Sequence, residues 1–164
     1  DLAGRVASLK VRARGQVEKG KRYTYVTSNR AARDGQPGYN GPKPLQVAHV
    51  PRAALELRGK VAPLVITEGE FGADVSTALS GFPVVGLPGV DNWPMGADLA
   101  KSWGSRTVAV ALDADASKRE RVASAAHELV RALRREGLTV EHWQWPEESG
   151  KGLADLLLGQ RGGR

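Results

Sequence analysis

Two apolar runs of strand length each end in carboxylates, and this pairing restricts the fold more than any other feature of the chain. Leu64-Val65-Ile66-Thr67 stops at Glu68-Gly69-Glu70, and a helical pattern through Ala73, Val75, Ala78 and Leu79 follows to Gly81. Val108-Ala109-Val110-Ala111-Leu112 stops in the same way at Asp113-Ala114-Asp115, before a long helical pattern. From Val61 onward the alternation is β-α-β-α-β-α-β-α, with strands expected near 63–67, 83–87, 107–112 and 138–144. That order predicts an α/β fold, a parallel sheet flanked by helices. Right-handed crossovers bring the acidic turns to one edge of the sheet, and the carboxyl edge is where open α/β sheets bind ligands.

One glutamate and an Asp-x-Asp therefore converge without a long loop having to reach. Three carboxylates held close repel one another unless cations stand between them, and Mg²⁺ is the usual oxygen-seeking occupant. Each acid also has an ordinary structural reading. Glu68 is favoured by the dipole of the helix it precedes, and Asp113 and Asp115 are turn-forming and capping residues. The ordered conjunction of Glu-Gly and Asp-x-Asp, each after a buried-type strand, shifts the balance toward a site. Glu70 and Asp74, read as solvent-facing on the first helix, are secondary candidates.

Strand, Glu-Gly, helix, and later strand, Asp-x-Asp, helix resembles the signature of the TOPRIM domain, shared by bacterial-type primases, topoisomerases and certain nucleases. The wording ITEGE, LSGFPVVGLPGV, ALDAD and GKGLADLL looks most like the TOPRIM-like domains of plasmid and phage replication proteins, over about residues 61 to 159. The resemblance implies that Glu68 acts as general acid/base, that Glu68, Asp113 and Asp115 bind Mg²⁺ (or Mn²⁺), and that Lys151 contacts phosphate. It implies nucleotides and single-stranded DNA as partners, with further domains such as a helicase in a longer replication protein. Relatives often read Lys-Gly-x-Asp-Asp near the end. Here Ala154 takes the first acidic place and Asp155 remains as the candidate.

The amino-terminal part has a different character. Residues 1–60 hold 13 Lys+Arg against 4 Asp+Glu, whereas residues 61–164 hold 11 against 14. A basic segment beside an acidic one points to a polyanionic partner. Around Lys10-Val11-Arg12-Ala13-Arg14 and Arg22-Tyr23-Thr24-Tyr25 basic or aromatic residues alternate with others, which predicts a basic hairpin. Lys10, Arg12 and Arg14 share one face, either as a solvated strand surface or as phosphate contacts with Tyr23 and Tyr25 stacking on bases. Residues 28–44 read as a loop, and the boundary falls near Lys60: a basic β-rich region over 1–60 and the TOPRIM-like domain over 61–164. Asp1 opens the chain and Met95 is its single methionine, so we read it as part of a longer, cytoplasmic protein.

No cysteine is present, which excludes disulfides and thiolate zinc sites, and His49, His127 and His142 show no ligand spacing. No apolar run is long enough to span a membrane. Ser117-Lys118-Arg119-Glu120 predicts a capping box, followed by an inward stripe of Val122, Ala125, Ala126, Leu129, Val130 and Leu133, with Gly137 ending the helix. Asp91 and Asn92 are expected to cap a short helix running to about Trp103. Lys118, Arg119 and Arg121 flank Asp115 and suit phosphate binding, whereas Arg131, Arg134 and Arg135 offset a helix dipole. Trp143 and Trp145 are expected to pack against a helix. The expected function is Mg²⁺-dependent, primase-like nucleotidyl transfer. A metal-dependent nuclease and a non-catalytic nucleic-acid-binding module are the alternatives.

Overall fold

Backbone pairing in the amino-terminal unit follows the alternation of its residues. The structure, a computed structural model, describes residues 10–12, 23–25 and 48–162. Strand β1 (Lys10–Arg12) pairs antiparallel with β2 (Tyr23–Tyr25), Lys10 opposite Tyr25 and Arg12 opposite Tyr23. Arg14, the expected turn at 18–21 and the expected loop at 28–44 lie outside the described residues. The chain divides into two compact units, the second of which runs from Val47 to the end.

Residues 48–60, assigned from the sequence to the amino-terminal region, fold with this second unit. Helix α1 (Arg52–Leu57) buries Ala54 completely in its core. Arg58 then donates from Nε to the Trp103 carbonyl at 3.1 Å and lies over the Trp103 ring. Upstream, His49 forms a two-bond bridge with Gly86, N–H to carbonyl at 2.7 Å and 2.9 Å.

The sheet comprises β3 (Leu64–Glu68), β4 (Val84–Leu87), β5 (Thr107–Ala111) and β6 (Thr139–His142), in the order β4-β3-β5-β6 with every pair parallel. Alternate side chains of a strand face opposite ways, and the two faces build separate cores. Leu64, Ile66, Val85, Leu87, Val108 and Val110 pack under α1, α3 (Trp93–Trp103) and α4 (Glu120–Arg135). Val65, Val84, Ala109 and Ala111 pack with Ala73 of α2 (Glu70–Ser80) and Leu153 of α5 (Leu153–Gly162). The second core is lined by smaller residues and is completed at its margin by Phe82, Trp143, Trp145, Leu156 and Leu157. Trp143 meets Phe82 edge-on at 5.6 Å, and the Trp145 indole donates to the Gly150 carbonyl at 2.8 Å. Both tryptophans thus take the packing role expected of them.

Helix α4 buries Val122, Ala125, Ala126, Leu129 and Leu133 of the expected stripe, Val130 is only partly buried against the same core, and Gly137 follows the helix end at φ 77°. Two capping expectations are corrected. Residues Ala116–Lys118 form a 3₁₀ turn, so Ser117 lies inside a turn rather than at a helix boundary. Arg119, with extended backbone, precedes α4, and no side chain caps that helix. Likewise Val90–Asn92 is a 3₁₀ turn and no side chain caps α3. Instead Asn92 donates to the Pro88 carbonyl at 3.4 Å, and Asp91 accepts from Nε of Arg121 at 2.9 Å. Strand β6 is shorter than expected and mostly exposed, as suits the sheet's edge.

Candidate functional site

Because the strands are parallel, Glu68, Leu87 and the Leu112-Asp113 step after Ala111 reach the same edge. Glu68 is the last residue of β3, and the chain must turn at once into α2. Gly69 does this at φ 84°, donating its N–H to the Leu87 carbonyl at 2.8 Å. A left-handed backbone at this point favours glycine. The turn lies so tightly on β4 that a Cβ at Gly86 would stand 2.4 Å from the Gly69 carbonyl oxygen. Gly86 is therefore a site-shaping residue that the motif reading did not single out. Its signal was a glycine interrupting the apolar run Val84-Val85-Gly86-Leu87, a mark of close backbone approach.

The acids meet two cations here. The Arg119 Nη2 is 2.8 Å from Asp115 Oδ1 and 3.9 Å from Asp113 Oδ2, and Lys151 Nζ is 3.3 Å from the same Asp113 oxygen. Lys151 is brought in by its backbone, since its carbonyl accepts the Ala114 N–H at 2.8 Å. The Asp113 side chain is only 15% exposed, so this pairing is screened less than a surface one. Beside them Glu68 has a buried Oε2 with no hydrogen-bond partner. Desolvation raises the Glu68 pKa, Asp113 and Asp115 push it the same way, and Arg119 and Lys151 oppose them. A carboxyl group held in this way gives or takes a proton at higher pH than an exposed glutamate does.

The remaining candidates are distributed around this group. Asp155 accepts the Gly152 N–H at 3.0 Å. Asp113 and Asp155 flank Gly152, where a Cβ would be 3.5 Å and 3.8 Å from their respective oxygens. Lys118 is paired with Glu147 at 2.6 Å, an acid of the 3₁₀ turn Glu147–Ser149 that the sequence reading passed over. Glu70 opens α2, and Asp74 accepts from His49 Nε2 at 2.9 Å. His49 showed no ligand spacing in the sequence. The bridge to Gly86 is what brings it to α2.

Oxygen donors alone suit a hard divalent cation, and the unbonded Glu68 oxygen is an atom that a proton or a cation would satisfy. Among the described residues, however, no three His, Asp or Glu side chains stand at metal-ligand spacing. As they stand, the acids do not form a metal cage, and Asp113 and Asp115 are engaged by Lys151 and Arg119 instead.

The sequence profile of one family, described as a domain of unknown function (DUF3854), matches residues 57–162. The chain belongs to this family. The match takes in Glu68, Asp113, Asp115, Lys151 and Asp155, so the whole carboxyl-edge group lies within the DUF3854 domain. Among solved structures it is similar to the Aquifex aeolicus primase (zinc-binding and RNA polymerase domains), at 16% identity and a TM-score of 0.62. That alignment covers 99% of this chain and 36% of the primase chain, so the present chain spans about a third of its neighbour. The likeness shows a primase-like fold. No curated protein matches the sequence. Among the described residues no helix is long and apolar enough to cross a membrane.

Proposed function

We propose that the carboxyl edge is a TOPRIM-type site for divalent-metal-dependent nucleotidyl transfer on single-stranded DNA, in a plasmid or phage replication protein. The observation that carries this reading is Glu68, with its buried and unbonded oxygen, grouped with Asp113 and Asp115 under two cationic side chains at the end of a parallel sheet. The primase-like fold is compatible with it. Asp113, Asp115 and Glu68 would have to close from their present spacing to hold Mg²⁺ or Mn²⁺, which would there neutralise the charge that develops on transferring phosphate oxygens.

The chain's own groups supply the rest. Glu68, with its raised pKa, suits proton exchange with the attacking sugar hydroxyl. Arg119 and Lys151 neutralise the acids in the free protein and turn to nucleotide phosphates when the acids are otherwise engaged. Lys118 does the same on leaving Glu147. The Lys118–Glu147 pair is exposed on both sides and worth about 0–1 kcal/mol, so that exchange costs little. Lys10, Arg12 and Arg14 add phosphate contacts to the template. In this reading nucleotides and single-stranded DNA are the ligands, and other domains, a helicase among them, are the partners.

A second reading, a non-catalytic nucleic-acid-binding module, is favoured by the absence of a three-acid cluster at metal spacing among the described residues and by Ala154. A nuclease would use the same acids with water as the nucleophile. Titration of Mg²⁺ and Mn²⁺ into the wild type and into Asp113→Asn/Asp115→Asn, with and without single-stranded DNA, separates the enzymes from the module. Saturable binding that the double variant loses is expected, with primer synthesis rather than cleavage in the wild type and loss of turnover in Glu68→Gln. Equal metal binding by the two proteins overturns the assignment.

A further inference from the structure

Two large apolar side chains are exposed among the described residues, Phe71 at 75% and Leu158 at 53%. Phe71 is the second residue of α2, which begins at Glu70 directly after the Glu68-Gly69 turn. It therefore stands at the carboxyl edge, within three positions of Glu68. Its surroundings are polar. Asp74 lies three residues on, on the same helix face, and is bonded to His49. Protein-binding hot spots sit at the centre of apolar patches that exclude water, and the described surface near Phe71 offers no second large apolar side chain to build one. Bases of single-stranded nucleic acid stack on exposed aromatic rings, and Phe71 presents such a ring at the edge where Glu68 stands.

We propose that Phe71 is a stacking platform for a base of a single-stranded DNA template entering the carboxyl edge beside Glu68. This deepens the proposed function and rests on reading that edge as a nucleic-acid site. Base stacking is a binding event, so it is tested in chelator, without nucleotides, apart from any metal-dependent step.

The experiment measures fluorescence anisotropy of a labelled single-stranded oligonucleotide, and of an abasic strand of equal length, with the full chain. Phe71→Ala should bind the normal strand between about fivefold and a hundredfold more weakly, the range for loss of one aromatic–base stack. Its affinity for the abasic strand should be unchanged, as should that of Leu158→Ala for both strands. Phe71→Trp should retain binding, and its added indole emission should be quenched by the normal strand but not by the abasic one. Equal affinity of wild type and Phe71→Ala for the normal strand overturns the proposal, and so does an equal loss on both strands. It also fails if the wild type binds neither strand, while the metal titration still decides the carboxylate site independently. Concentration-dependent self-association lost in Phe71→Ala, with oligonucleotide affinity kept, would make the ring a protein contact and refute the stacking role.

Discussion

Gly86→Ala is the substitution whose cost the structure makes most explicit. The added methyl would lie 2.4 Å from the Gly69 oxygen and 2.9 Å from the Gly69 carbonyl carbon, where ordinary contact begins at 3.4 Å. Either the Glu68-Gly69 turn or β4 must therefore give way by about 1 Å. Neither is free to do so. The Gly69 N–H is bonded to Leu87, and Gly86 is bonded on its other side to His49 through both backbone groups. Overpacking of a tight site costs about 1–3 kcal/mol, and weakening one of these hydrogen bonds adds about 1 kcal/mol. We expect a loss of about 2–4 kcal/mol in urea denaturation, with Tm lower by roughly 4–16 °C for a chain of this size. Gly72→Ala is the matched control, since nothing lies within 4 Å of its added methyl. It should be neutral or stabilise by up to about 1 kcal/mol, because alanine restricts the unfolded chain. If the edge is catalytic, a 1 Å displacement of Glu68 also lowers turnover about a hundredfold. Gly86→Ala unfolding within about 0.5 kcal/mol of the wild type, the scatter of ordinary surface changes, would refute the close-approach argument.

Three further outcomes are expected. Glu68 is favoured protonated in the folded protein, since burial raises its pKa above the ordinary 4.5. The stability tied to that proton is therefore complete below 4.5 and is lost as pH rises through the raised folded value. Glu68→Gln removes this dependence, so its stability relative to wild type should grow across that window in urea melts at stepped pH; parallel pH profiles would contradict the assignment. Lys151→Met frees Asp113 from one of its two cations, and Mg²⁺ binding by calorimetry should tighten by at least about two- to fivefold, the worth of an exposed ion pair, since Asp113 is largely buried, while nucleotide binding weakens. Leu133→Ala, at a fully buried position of α4, should cost about 2–5 kcal/mol, with metal affinity unchanged in whatever fraction remains folded.

The parallel α/β sheet was legible because its strands are continuous apolar runs and its helices periodic ones, signals that survive without knowledge of neighbours. Glu68 and the Asp113-Ala114-Asp115 step were legible for the same reason: each follows a buried strand, and a parallel sheet carries strand ends to one edge. The failed capping box shows the limit of that logic. Ser117 and Glu120 have the right spacing, but Ala116–Lys118 winds into a 3₁₀ turn while the Arg119 guanidinium reaches back to Asp115. Spacing alone does not state which hydrogen bond or ion pair prevails.

The order of residues by itself determined the elements, the two faces of each strand and the edge at which the acids gather, because these depend on periods of 2 and 3.6 residues along one chain. Tertiary structure alone decided which cation meets which acid, that residues 48–60 belong with the second unit, and that Gly86 must lack a side chain. It also decided that a Glu68 oxygen lies buried without a partner. Those facts depend on the distance between segments far apart in sequence, and burial, Coulomb attraction and steric overlap all act through distance in space.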